Sequence, residues 1–230
     1  MDWRSNCAVV IPCLNEESTI APLVRAVGAY FRTVYVVDDG STDNTSETAR
    51  EAGAIVLRHE TNLGKGAALR FGWERAREAG FGWVLTLDGD GQHSAEDIPS
   101  FFECVEQRGA ALVVGNRMPG MEKMPWLRRH VNRWMSSRLS RLAGQRLPDS
   151  QCGYRLMRLE AWAKLPIATS HFEIESDVLL AFLQAGYRVE FVPVQVIYKT
   201  EQSKIHPIWD SWRWLSWWRE AKRMKVKGGK

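Results

Sequence analysis

Cysteine is scarce: Cys7, Cys13, Cys104 and Cys152 are the four in 230 residues, and they form neither a CxxC pair nor a regular framework. That spacing excludes a disulfide-stapled scaffold and a thiolate zinc site as organising devices. Apolar runs are short, none approaching the roughly 18 residues of a membrane span. The N-terminus lacks the basic, apolar, small-residue order of a secretory signal, so a reducing cytoplasmic compartment is the expected location. Neither sign of charge dominates, with 31 Lys and Arg against 27 Asp and Glu and a net charge of +4. A balance that small gives no reason to expect nucleic acid as a partner. No internal repeat or low-complexity segment is present, which excludes a solenoid. Tryptophan is abundant instead: of eleven, Trp209, Trp212, Trp214, Trp217 and Trp218 crowd into ten residues near the C-terminus.

The length suits one globular core with something appended. Apolar runs of strand length alternate with helical patterns through the first half. The periodicity predicts strands over 7–12, 33–38, 54–59, 82–88 and 110–116, separated by helices over 16–31, 45–53, 64–80 and 94–109. Helical connections of this length between strands imply right-handed crossovers, hence an α/β fold with a mainly parallel sheet and helices on both faces. After residue 117 the pattern changes to a basic, Trp-bearing amphipathic stretch, then a turn-rich segment from Pro148, a helix over 172–186 and a late strand over 187–198.

In such a sheet, ligands bind beyond the carboxyl ends of the strands. The polar segments PCLNEE, DDGSTD, DGDGQH and GNR each follow a predicted strand, so one crevice collects all four. Asp88 and Asp90, one residue apart and flanked by Gly89 and Gly91, suit a hard divalent cation that also carries phosphate oxygens. Gln92 or His93 could add a ligand. Ordinary turn chemistry, with Asp88 capping a helix, is the competing account of the same residues. Asp38 and Asp39 stand where a carboxylate could accept hydrogen bonds from a base imide or a ribose hydroxyl, and a turn with Thr42 or Asp43 capping the next helix accounts for the same residues. NLGKG, around Lys65, lacks the spacing of a Walker loop, yet two glycines opening a helix permit anion binding or close packing.

In order and spacing, VVIPCLNEE, VVDDGSTD, NLGKGAAL, LTLDGDGQH and GNR resemble the nucleotide-sugar-dependent glycosyltransferases of family 2. DSQCGYRLMR, FEIESD and VEFVPV resemble the branch of dolichol-phosphate mannose synthases and polyprenyl-phosphate glycosyltransferases. The resemblance spans about residues 7 to 204. It implies a GT-A fold, a Rossmann-like sheet, inversion at the anomeric carbon, and a UDP- or GDP-sugar donor with Mg²⁺ or Mn²⁺. By position, Pro12, Leu14, Asn15, Glu16, Val37 and Asp39 match the pocket for base and ribose. Asp88, Asp90 and Gln92 match the metal motif, and Arg117, Arg128 and Asn132 match phosphate-contacting residues. Polyprenyl phosphate is the implied acceptor, already anionic and in no need of a strong base. A hydroxyl of a glycan, lipid or small metabolite is the alternative, and Glu173, Glu175 or Asp149 would then be candidate bases. A catalytically silent nucleotide-sugar-binding scaffold is a third reading, against which Asp88, Asp90 and Arg117 argue.

The sequence departs from that branch in YKTEQSK, which has Tyr198 and Glu201 where relatives carry Arg and Gly, leaving Lys199 or Lys204 to supply the charge. The chain divides into a glycosyltransferase domain over 1–204 and a basic, Trp-rich tail over 205–230. A helix over 208–224 would gather Trp214, Trp217 and Trp218 on one face, with Arg213, Arg219, Lys222 and Arg223 supplying positive charge. Such a face suits an anionic membrane interface, with residues 122–143 as a second contact, or packing onto the core.

Overall fold

The computed structural model describes residues 2–123, 126–197 and 207–228. A short helix α1 (Trp3–Asn6) leads into β1 (Cys7–Cys13), α2 (Glu17–Gly28), β2 (Val34–Asp38), α3 (Thr45–Glu51) and β3 (Ile55–Arg58). Then come α4 (Lys65–Glu78), β4 (Trp83–Thr86), α5 (Ile98–Arg108), β5 (Leu112–Asn116) and α6 (Trp126–Ala143). The last third holds β6 (Arg155–Arg158), α7 (Leu159–Trp162), α8 (Ile174–Gln184), β7 (Val189–Pro193) and α9 (Pro207–Gly228).

Seven strands form one sheet in the order β3-β2-β1-β4-β6-β5-β7. All seven residues of β1 are buried, which is why it reads as an unbroken apolar run: a central parallel strand is covered on both faces. The helix α4 presses on it closely enough that a Cβ at Gly72 would meet Val10 Cγ1 at 2.5 Å. The helix expected from 94 begins only at Ile98, and its end is set by local chemistry: Gly109 adopts φ 65° and returns its N–H to Val105 at 2.8 Å, a left-handed stop.

The turn-rich reading of the segment after Pro148 misses a strand. Residues Arg155–Arg158 form β6, which inserts antiparallel between β4 and β5. Its apolar signature is short and flanked by arginines, and Arg155 is buried all the same because its guanidinium donates to the carbonyls of Cys152, Glu175 and Ser150. Since β6 runs against its neighbours, its beginning, rather than its end, lies at the carboxyl edge of the parallel strands. That reversal carries residues 149–154 into the crevice.

Candidate active site

The floor of the crevice is made by two loops that bind each other. Asn15 sits at φ 52°, a left-handed conformation that Asn tolerates, and its Oδ1 accepts the Thr42 N–H at 2.8 Å. Ser41 Oγ accepts from Asn15 N at 2.9 Å, and Thr45 Oγ1 from Glu16 N at 2.8 Å. Pro12 and Val37 are paired neighbours in the sheet beneath, both buried, while Leu14 and Glu16 are half-buried.

Asp38, which ends β2, and Asp39, which follows it, both bind their own chain. Asp38 is fully buried, accepting from Ser41 N at 2.8 Å and from Ser46 Oγ, with Arg58 at 3.5 Å. Burial by itself would raise its carboxyl; the Ser41 and Ser46 hydrogen bonds outweigh that and hold it below the ordinary range. Asp39 accepts from Leu63 N at 3.0 Å and Gly64 N at 2.8 Å, with His59 Nδ1 at 2.7 Å. It thereby anchors the loop that delivers Lys65.

The two glycines around Lys65 serve close packing. A Cβ at Gly64 would meet the Ser170 carbonyl oxygen at 2.4 Å, and one at Gly66 would meet the Thr169 oxygen at 2.7 Å. With the loop of residues 169–171 drawn in so tightly, Lys65 and the start of α8 share one space. Lys65 Nζ lies 2.6 Å from Asp88 Oδ1 and 2.6 Å from Glu175 Oε1, and 5.6 Å from the centre of the Phe172 ring.

Asp88 stands about a quarter exposed, its other oxygen 3.9 Å from Nε2 of the buried His93. Burial opposes its ionisation, but the Lys65 ammonium and His93 together outweigh burial and hold the carboxyl well below the usual carboxylate range. Asp90 is half-exposed and accepts the Gln92 N–H at 3.0 Å. Beside them Arg117 is clamped by Asp149, with Nε to Oδ2 at 2.7 Å and Nη2 to Oδ1 at 2.9 Å. Both members are buried, and Asp149 also accepts from the Arg117 backbone N–H at 3.2 Å.

Among the described residues no three His, Cys, Asp or Glu side chains form a closed metal cage. The edge offers two carboxylates one residue apart instead, and that suits a Mg²⁺-like ion, which takes one or two protein carboxylates and completes its shell with phosphate and water. Asp88 Oδ1 is buried and has no hydrogen-bond partner among the described residues, its contact being the Lys65 ammonium. Lys65 supplies that oxygen with a cation, and the pair of carboxylates, with Asp88 about a quarter exposed and Asp90 half-exposed, fits a divalent ion as well.

Sequence reasoning missed Gly153. A Cβ there would sit 2.5 Å from Asp88 Oδ1 and 2.6 Å from Oδ2. The signal was the CGY tripeptide, and the reversed strand β6 had to be known before it could be read. We expect Gly153→Ala to displace the Asp88 carboxylate and lower turnover by about 10²-fold, the loss that an ångström-scale misplacement of a catalytic group brings. Steady-state kinetics alongside a melting curve checks this, and wild-type turnover in the variant would refute it.

Of the remaining expected site residues, Asn132 is buried on α6, while the Arg128 side chain and Lys204 lie outside the described residues, as does the YKTEQSK segment from Tyr198 onward. On α6, Asn132, Ser136 and Leu139 turn to the core. Trp126, at 69% exposed, turns away from it together with His130 and Arg141, while Trp134, at 42%, also leans on Trp214 with ring centres 5.4 Å apart. The tail helix α9 packs onto the core. Trp214 is 2% exposed and donates its indole N–H to Ser176 Oγ at 2.9 Å, and Trp217 and Trp218 are half-buried against the core. The face expected at a membrane is thus the one turned to protein, because a buried hydroxyl on α8 offers the indole a partner. Trp212, at 62% exposed, lies outside it. Arg138 joins the two helices, its guanidinium 5.4 Å from the Trp134 ring centre and 5.7 Å from that of Trp218. No described helix is long and apolar enough to cross a membrane.

Comparison with known proteins agrees with this geometry. The chain is 28% identical over 218 residues to a UDP-N-acetylglucosamine--dolichyl-phosphate N-acetylglucosaminyltransferase of Methanococcus voltae, covering 85% of this chain and 86% of that protein. It is 28% identical over 200 residues to a polyprenol monophosphomannose synthase of Mycolicibacterium smegmatis, covering 81% and 75%. Glucosyl-3-phosphoglycerate synthase from Mycobacterium tuberculosis, solved with Mn²⁺, UDP and phosphoglyceric acid, shares the fold with a TM-score of 0.69 at 22% identity over 86% of this chain and 72% of that one. The fold is GT-A, and with the Glycosyl transferase family 2 profile matching residues 8–165, the chain belongs to that family and is a glycosyltransferase.

Proposed function

We propose that the enzyme moves a sugar from a UDP- or GDP-sugar to polyprenyl phosphate, with inversion and with a divalent ion, at the cytoplasmic face of a membrane. The observation that carries the acceptor is the state of the nearby acids. A hydroxyl acceptor needs a general base, but Asp149 gives both oxygens to Arg117 and Glu175 is buried against Lys65, so of the three candidate acids Glu173 alone, half-buried at the start of α8, is left for that role. A phosphate oxygen is nucleophilic as it stands. It attacks the anomeric carbon as the bond to the donor phosphate breaks, and the electron pair leaves with the nucleoside diphosphate.

Asp88 and Asp90, with Gln92 adjacent, would hold Mg²⁺ or Mn²⁺, which when bound neutralises charge on the diphosphate. Arg117, fixed in orientation by Asp149, stabilises the same charge where it develops. The two crossed loops that carry Asn15, Glu16 and Asp39 suit the base and ribose. Names of relatives that act on lipid phosphates support the acceptor class.

The membrane surface is the outward side of α6, which has no acidic residue along Trp126–Ala143, together with Trp212. Exposed indoles beside arginines favour an anionic interface. Transfer of radiolabelled sugar from UDP- and GDP-sugars to polyprenyl phosphate, with polyprenol as the hydroxyl control, tests the chemistry; transfer to polyprenol alone refutes it. In sedimentation with anionic liposomes, Trp126→Ser with Trp212→Ser is expected to weaken binding about tenfold, the equivalent of roughly 1.4 kcal/mol of interfacial burial. Unchanged sedimentation removes this face as the docking surface.

A further inference from the structure

We propose that Lys65 is a resident counter-cation of the metal site, competing with the divalent ion for Asp88 and so making metal binding depend on the nucleotide. The inference rests on the metal-dependent reading above and adds to it the order in which the ligands assemble.

Three observations lead there. The Lys65 ammonium is 2.6 Å from both Asp88 and Glu175, so two acids share its single positive charge. Apart from that ammonium, neither Glu175 carboxylate oxygen nor Asp88 Oδ1 has a hydrogen-bond partner among the described residues, so Lys65 is what makes their burial tolerable. The lysine is also held in place: Gly64 and Gly66 pin its loop against residues 169–171, Asp39 binds the preceding amides, and Phe172 lies along the ammonium.

A divalent ion settling on Asp88 meets a cation already there. Two positive charges sharing one carboxylate in a partly buried crevice repel strongly, so the ion binds poorly while Lys65 keeps its place. A nucleoside diphosphate changes the balance by bringing at least two negative charges, which give both the ammonium and the metal ion an anionic partner. Metal and nucleotide are then coupled ligands, each raising the affinity of the other by the same factor. Glu175 is the tether that receives the ammonium when Asp88 is released, a role that needs its charge but no contact with substrate. Lys65 is on this account a positioning residue whose removal strengthens one binding step, an outcome that mere structural damage does not give.

The test is Mn²⁺ titration followed by electron paramagnetic resonance, with and without UDP, on wild type and Lys65→Met. In wild type, UDP should tighten Mn²⁺ at least tenfold, within the usual range of coupling between sites. In Lys65→Met, Mn²⁺ alone should bind about tenfold tighter than in wild type and the benefit of UDP should shrink. Lys65→Met with Glu175→Gln removes one of the two stranded charges and should behave the same way if the single variant does not fold. Equal Mn²⁺ affinity in wild type and both variants, or weaker binding in the variants, overturns the role of Lys65 while leaving the metal site standing. Failure of Mn²⁺ to bind any of them, even with UDP, overturns the metal reading and this inference together.

Discussion

Asp90→Asn is expected to lower kcat/KM for sugar transfer by about 10² to 10³-fold, the loss typical of removing one group that stabilises charge in a transition state. The substitution keeps the shape of the side chain and leaves an oxygen to accept the Gln92 N–H, now at 3.0 Å, so the loop has no reason to rearrange. What disappears is the negative charge. Asp90 is half-exposed, and its loss strands no buried cation among the described residues, so melting should change by no more than about 2 °C, as for a surface substitution of roughly half a kcal/mol. The pairing of a large kinetic effect with a small thermal one separates a functional carboxylate from a turn-forming one. If transfer stays within about threefold of wild type, Asp90 belongs to turn chemistry after all.

Asp149→Asn should do the opposite, lowering stability by about 3 to 5 kcal/mol because it leaves the Arg117 guanidinium buried without its counter-charge. For a chain of this length that corresponds to a fall in Tm on the order of 10 °C. Activity should fall as well, since the two hydrogen bonds at 2.7 and 2.9 Å are what orient Arg117. Burial raises the Asp149 carboxyl, and the Arg117 charge and hydrogen bonds more than reverse it, placing it below the ordinary carboxylate range. A folded-state value that is depressed contributes stability above the unfolded value, near 3.9, and loses it as pH falls through the folded one. The gap between wild type and variant should therefore be full at neutral pH and narrow below about pH 4. Urea unfolding at a series of pH values measures it, and a gap constant down to pH 3 would remove the ion pair as its cause.

How much of this was legible beforehand differs between the two halves of the site. The first half of the sheet obeys its local pattern: apolar runs end in polar loops, and the loops carrying Asn15, Asp39 and Asp90 lie at one edge because parallel strands all end there. The second half does not announce itself. Arg155 and Arg158 hide a strand because arginine in a strand reads as surface, and only the three carbonyls around Arg155 make its burial possible. Gly153 and Asp149 could not be placed without that strand. Trp214 shows another limit, since sequence reports that an indole seeks an apolar surface but not whether that surface is lipid or protein. Its contact with Ser176 is a tertiary fact. Lys65 lay inside a recognisable motif, yet its two acidic partners come from segments 23 and 110 residues further on, far beyond any local pattern.

The antiparallel strand β6 has a consequence for how the enzyme comes into being. Its pairing with β4 joins Trp83 to Arg158, and between those residues the chain must first complete α5, β5 and α6. Contacts so distant in sequence form slowly, because the intervening loop must close before they give any return. A ribosome-bound chain ending before residue 149 would hold both nucleotide-side loops but an uncovered β4 edge and no partner for Arg117. The arrival of β6 covers the facing edges of β4 and β5, and the loop just before it brings Asp149 to Arg117. The same stretch of chain thus closes the middle of the sheet and sets the Arg117 guanidinium in place, so the two events cannot be separated.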